Sequence, residues 1–215
     1  VVVESASPID DVRALGFDPE RGGGGRAQLF RGARLRVDET PVGPPPAELD
    51  GIDVCGSLAA ADLDNDGDVD LYFACGESGA ARPNRLLLND GGGAFAEVGA
   101  AAGLTDARSG KGVLTFDYDR DGDQDVVIVN NGDTPVLYRN DGGNDHDWLQ
   151  VETEGTISNR QGSGAMITVL AEPDGQAQIW EVSTSSHYLG QSETTAHFGL
   201  GERGDGPVHL VAIVW

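Results

Sequence analysis

The nine residues Asp62 to Asp70, DLDNDGDVD, hold five aspartates and an asparagine around one glycine, Gly67. The arrangement returns 55 residues later as DYDRDGDQD, Asp117 to Asp125, with Gly122 in the matching place. Five carboxylates in one tight loop repel one another at neutral pH, so a chain that repeats the device must compensate them. A hard divalent cation does so. Calcium takes oxygen ligands, and side chains at the first, third and fifth places of such a loop point inward together. Glycine at the sixth place permits a sharp turn, the seventh offers its carbonyl, and the ninth closes the cage with a carboxylate. This spacing assigns one site to Asp62, Asp64, Asp66, the carbonyl of Asp68, and Asp70. It assigns a second to Asp117, Asp119, Asp121, the carbonyl of Asp123, and Asp125. Two bound Ca2+ ions are expected.

The rivals are weaker. An EF-hand needs Glu at the twelfth place and flanking helices, but Phe73 and Ile128 stand there in apolar, strand-like runs. Magnesium prefers to keep its waters. The bland alternative is a solvated acidic turn without metal.

Each loop sits inside a longer repeat. GSLAAADLDNDGDVDLYFACG aligns with GVLTFDYDRDGDQDVVIVNNG, and NRLLLNDGGGAF with PVLYRNDGGN. A fainter third copy, RAQLFRGARLRVDET, spans residues 26–40. The spacing of the loops falls in the range of propeller blades. AEVGAAAGL between them reads as a short helical turn, and SPIDDVRALG, residues 7–16, as a short helix capped by Ser7 and closed by Gly16. TPVGPPPAELDG, residues 40–51, is an exposed Pro-rich connection. After NDHDWLQVET the acidic loops stop and alternating segments take over, with a turn at Pro173-Asp174-Gly175. The expected fold is all-β. An N-terminal segment with a short helix spans 1–25, calcium-binding β repeats span 26–146, and a small β domain spans 147–215.

The chain carries 36 acidic against 14 basic residues, a net charge of -22. That field repels nucleic acid and anionic lipid, and LVAIVW, the longest apolar run, is too short for membrane insertion as a helix. Cations and basic partners suit it. The opening VVVES has no initiator Met and no signal-peptide pattern, which gives the expectation of a mature or excised fragment. Cys55 and Cys75 flank the first loop almost symmetrically. If the flanks pair as a hairpin, a disulfide would stabilise by roughly 3 kcal/mol in an oxidising compartment. Two buried free thiols are the alternative.

The two hairpins, each followed by its N-x-L or L-Y-R-N strand, resemble the FG-GAP/VCBS repeats of calcium-binding β-propellers. SNRQGSGAMITV, STSSHYLGQSE and HFGLG resemble the ASPIC/UnbV domain. Together they are similar to the cartilage acidic protein family and its bacterial relatives. The resemblance implies propeller-type blades followed by a small β-sandwich or barrel-like domain. Such propellers have about seven blades, and this chain has sequence for two to three. An incomplete set implies a piece of a longer protein or several chains combining.

Other motifs carry less. The RGD at Arg203 to Asp205 lies in a glycine-rich turn. His146, His187, His197 and His209 lack zinc-site spacing, and His197 reads as structural. Asn159 and Arg160 with Gly162 and Gly164 read as a turn. Ser163 lacks a nucleophile elbow, and nothing specifies catalysis, so the chain is not read as an enzyme. The expected function is an extracellular, secreted or cell-surface, calcium-binding structural or adhesion scaffold. It would bind protein or glycan partners, or self-associate into an oligomer or filament through its apolar terminal strands. The alternative is a natural-product biosynthesis-associated protein or another propeller enzyme.

Overall fold

The computed structural model describes residues 2–5, 12–15, 55–76, 82–92, 94–142, 145–157, 159–184, 190–204 and 206–215. All of its regular elements longer than a turn are strands, so no described helix is long and apolar enough to cross a membrane. In chain order they are β1 (Val2–Ser5), β2 (Val12–Leu15), β3 (Cys55–Ala61), β4 (Asp70–Cys75), β5 (Arg85–Asn89), β6 (Phe95–Glu97) and β7 (Gly110–Phe116). There follow β8 (Asp125–Asn130), β9 (Val136–Tyr138), β10 (Asp147–Glu152), β11 (Met166–Leu170), β12 (Ala177–Glu181), β13 (Ala196–Gly201) and β14 (Leu210–Val214).

The first repeat forms an antiparallel sheet in the order β3-β4-β5-β6, and the second one in the order β7-β8-β9. Apolar residues dominate their central strands, DLYFAC and DVVIVN; the first is largely buried on both faces, and the second on the face of Val126 and Ile128, while Val129 is exposed. The two sheets share one core. Ala59, Tyr72 and Leu86 of the first meet Val113, Val126 and Ile128 of the second. These are neighbouring blades of the propeller type; the described strands close no barrel. The AEVGAAAGL stretch makes the expected single turn, with Ala102 N donating to Val98 O at 2.9 Å.

Two further sheets, β1-β10-β13 and β12-β11-β14-β2, enclose a second core of Leu149, Val151, Ile167, Val169, Phe198, Val211 and Ile213. Gly175 N donates to Glu172 O at 3.0 Å in the expected Pro173-Asp174-Gly175 turn. The N-terminal strands belong to this sandwich. β1 pairs antiparallel with β10, and β2 runs parallel to β14. The helix expected over residues 7–16 is therefore corrected: Val12–Leu15 is a strand, because pairing with β14 outweighs local helix signals. The rest of that segment, and the third repeat copy at 26–40, lie outside the described residues. β1 and β14, the strands expected to pair across subunits, both find partners within one chain.

Cys55 and Cys75 are joined by a disulfide, as the oxidised alternative required. Their pairing depends on a register shift. From Ala61 opposite Asp70 to Ser57 opposite Ala74 the hairpin is regular, and a bulge at Gly56 then brings Cys55 across from Cys75. The second hairpin has the same bulge, with Gly110 and Asn130 in the places of the cysteines.

Candidate metal centre

Each acidic loop crosses between the first two strands of its sheet, β3 to β4 and β7 to β8. The glycine at the sixth place is required by its backbone: Gly67 has φ 100° and Gly122 φ 97°. The fourth place is left-handed as well, with φ 58° at Asn65 and 63° at Arg120. Asparagine tolerates that conformation, and arginine adopts it at a cost.

The folded loops bring carboxylates together in matching sets. Asp62, Asp64 and Asp70 offer oxygens within 4.8 Å of one another, and so do Asp117, Asp119 and Asp125. Oxygens sharing one calcium ion stand within about 5 Å of each other, so both groups have the right span. Asp62 Oδ1 and Asp64 Oδ1 are buried without a hydrogen-bond partner. Buried carboxylate oxygens without a partner are costly, and a cation removes the cost. The other oxygens of the first group are held by the backbone. Asp62 Oδ2 accepts Gly67 N at 2.9 Å, and Asp70 accepts Leu63 N at 2.8 Å and Asn89 N at 2.9 Å. In the second loop Asp117 accepts Gly122 N at 3.0 Å, and Asp125 accepts Tyr118 N at 2.9 Å and Asn140 N at 2.8 Å.

The remaining aspartates of the spacing stand outside these groups. Asp66 Oδ1 and Asp121 Oδ1 accept the N–H of Asp68 and Asp123, two residues on, at 2.9 and 3.0 Å. The Asp68 carboxylate lies beside Gly91, and the Asp123 carboxylate takes an N–H from the Asn65 amide at 3.2 Å.

Without a cation the first group resists ionisation. Burial, reinforced by the charges of Asp70, Asp66 and Asp64, pushes the Asp62 carboxyl up to about 8 against the Gly67 N–H that favours its charge. Burial takes Asp70 to about 7 and also raises Asp64. In the second loop, burial raises Asp125.

Sequence reasoning missed where the loops point: they form the seat of the sandwich. His197 Nε2 lies 2.6 Å from Asn65 Oδ1, and Gly201 N donates to Asn65 O at 2.8 Å. The Asn65 amide also donates to Gly122 O at 3.1 Å, tying the loops to each other. Gln150 Nε2 donates to Asp117 Oδ2 at 2.8 Å, and Asp117 N donates to Glu193 Oε1 at 3.1 Å. His146 Nδ1 lies 2.7 Å from the carbonyl of Asp64. At Gly199 the backbone approaches so closely that a Cβ would collide with the Asp62 carboxylate and the Asn65 backbone. His197 thus has the structural role expected of it, and burial holds its imidazole down at about 4. No spacing rule links residue 65 to residue 197, so only the fold reveals the contact.

The lesser motifs are placed too. The Arg203 side chain is 5% exposed and donates to Glu172 at 2.9 Å and to Pro207 O at 2.6 Å, so the arginine of the RGD is turned inward. Asp205 and His187 lie outside the described residues, and His209 is exposed. Asn159 brackets Ser163 from both sides of its amide, at 2.6 and 3.0 Å, in the expected turn.

Paired blades with acidic hairpins and a C-terminal sandwich define a class, and sequence comparison agrees. Residues 62–128 match the FG-GAP-like repeat, and residues 155–215 match the ASPIC and UnbV family. The chain thus carries a match to each of the two units, one after the other along its length. It is similar to cartilage acidic protein 1 of Mus musculus, at 28% identity over 153 residues. That match covers 67% of this chain and 23% of the relative. The Homo sapiens protein of the same name is 27% identical over 154 residues, covering 68% and 23%. The chain therefore spans under a quarter of the length of the curated relatives it matches.

Proposed function

We propose that this chain is an extracellular calcium-binding scaffold in which two metal loops fasten a pair of blades to the sandwich. Asp62, Asp64 and Asp70 hold one ion, and Asp117, Asp119 and Asp125 hold the other. The observation that carries the reading is the first carboxylate group, with its two partnerless buried oxygens at the junction with the sandwich. Calcium there neutralises the loop, frees the fold from protonating Asp62 and Asp70, and stiffens the surface on which His197 and Gly199 rest. The disulfide and the names of the relatives support an extracellular setting. The chain divides near residue 147, with β1 and β2 adding strands to the C-terminal unit. The work of such a scaffold is to present surfaces to protein or glycan partners, or to further copies of itself.

Calorimetric titration tests this reading. Two calcium ions bind per chain, and binding at pH 7 releases protons, so the heat varies with the ionisation enthalpy of the buffer. Absence of calcium binding, or equal binding of magnesium, would contradict it.

A further inference from the structure

The two blades are not equally complete. The first has four strands, β3-β4-β5-β6, and among the described residues the second has three, β7-β8-β9. Asn89 and Asn140 hold the same place in the two repeats, and the chain leaves them differently. After Asn89 it turns, with Asp90 N donating to Ala94 O at 3.1 Å, and returns along β5 as β6. After Asn140 it crosses to the first acidic loop, where His146 Nδ1 lies 2.7 Å from Asp64 O, and continues as β10. β9 therefore ends its sheet, and among the described residues its outer edge carries no strand.

The pairing registers show what belongs there. Leu71 pairs with Leu87 in the first blade where Val126 pairs with Tyr138 in the second. β6 sets Phe95 opposite Asn89, and Phe95 packs against the cluster of Phe73, Cys75 and Leu87. Leu87 is fully buried there. Its counterpart Tyr138 is only half-buried, and a cavity of about 300 Å³ stands beside it. Val126, Tyr138 and Asn140 line this cavity from the second blade, and Leu86, Leu88 and Leu104 face them. The space thus lies against the residues that match the seat of Phe95. Just past β6, Val98 N donates to Leu86 O at 2.9 Å, and Leu86 is 4% exposed. The matching Leu137 is 47% exposed.

We propose that the outer edge of β9 receives an extended segment of a partner protein, which adds the missing fourth strand and places an aromatic side chain in this cavity. The segment runs antiparallel to β9. Its aromatic residue stands opposite Asn140 and an aliphatic residue opposite Leu137, as Phe95 and Val98 stand in the first blade. Backbone pairing supplies affinity, and the buried ring supplies selectivity. β6 of a second copy is already paired within its own blade, so a separate polypeptide is the occupant. Of the carboxylates grouped for the metal only Asp64 lines the cavity, and the guest takes no charge from it. This deepens the scaffold reading and rests on it for the existence of a protein partner.

The test is a polarisation titration of a labelled peptide, AFAEVGAA, the sequence of residues 94–101, with the full chain in millimolar calcium. The peptide binds, and the same peptide with Phe95→Ala binds at least about tenfold more weakly. A peptide with Ala96→Pro, which cannot extend the ladder, is weakened as well. Ala102 is exposed at the cavity, and Ala102→Trp in the chain fills the space and lowers affinity by a similar factor. Equal binding of the native and alanine peptides, or no binding up to millimolar peptide, overturns the proposal. Self-association of the chain that Ala102→Trp abolishes would give the place to a second copy and also overturn it. Thermal unfolding separates the two readings. Peptide binding by a chain whose melting ignores calcium leaves the strand site standing and removes the calcium scaffold. Calcium-dependent melting without peptide binding does the reverse.

Discussion

In the first hairpin Asp62 and Asp70 are buried, Asp64 is half-buried, and the sandwich presses on the loop through His197 and Gly199. In the second hairpin Asp117 and Asp125 are equally buried but Asp119 stands in solvent, and the sandwich reaches the loop through Gln150 and Glu193 at Asp117 and Trp148 against Gly122. The loops share the same five aspartates and the same glycine, so the difference comes from what covers them. The covered loop carries carboxyls raised to about 8 and 7 and two oxygens without partners. A shared motif thus sets the ligands, and the neighbouring sandwich sets how strongly the fold depends on filling them.

The hairpins also differ at their far ends. The first is closed by Cys55 and Cys75, while the second has Gly110 opposite Asn130 in the corresponding pair. Removing the bridge with Cys55→Ser and Cys75→Ser costs about 3 kcal/mol, read by denaturant unfolding. Copying the bridge into the second hairpin with Gly110→Cys and Asn130→Cys brings no matching gain. A Cβ at Gly110 would stand 2.8 Å from Ala74 Cβ of the neighbouring blade. A gain of similar size would show that blade packing does not explain the asymmetry.

Gly199→Ala breaks the comparison at the sandwich. Its methyl group collides with Asp62 and Asn65, so stability falls by about 2 kcal/mol and the calcium affinity of the first site falls more than that of the second. Equal weakening of both sites would mean the sandwich does not act through the first loop.

The titrations give a pH prediction. Without metal, the folded pKa values of Asp62 and Asp70 lie above their ordinary values near 3.8. Their contribution to stability is therefore complete below the ordinary carboxylate range and is lost as pH rises through 7 to 8. His197, held low, contributes fully above about 6.5 and loses ground only as pH falls below that value. Between about pH 6.5 and 8.5 the melting temperature of the chelated protein falls, whereas the calcium-loaded protein holds steady because the ion favours the charged carboxylates. Parallel curves would contradict the carboxylate assignment. The smallest effect is at the left-handed fourth place: Arg120→Asn gains about 0.5 kcal/mol, because Asn65 already shows the better residue there.

Much of this was legible in the sequence. The loop spacing carried six carboxylates into two groups of three, and the cysteine symmetry found the disulfide. Both signals are local, set by a turn and by strands that pair through it. The strand at Val12–Leu15 was misread because its partner β14 lies nearly 200 residues away, and helix-start signals such as Ser7 and Pro8 carry no trace of it. The covering of Asn65 by His197 is likewise a long-range contact. Asp66 and Asp121 occupy ligand places in the spacing, and one oxygen of each also caps the backbone two residues on, a local contact like that of Asp62 Oδ2 with Gly67 N that spacing does not reveal.

The central claim is that calcium in these loops holds the blades to the sandwich. Thermal unfolding in millimolar calcium and again in excess chelator tests it most directly. At a hundredfold excess over Kd each site adds about 2.7 kcal/mol. The account predicts a large fall in melting temperature on chelation, restored by calcium and not by magnesium. An unchanged melting temperature would contradict it, and the acidic loops would then be held by their hydrogen bonds alone.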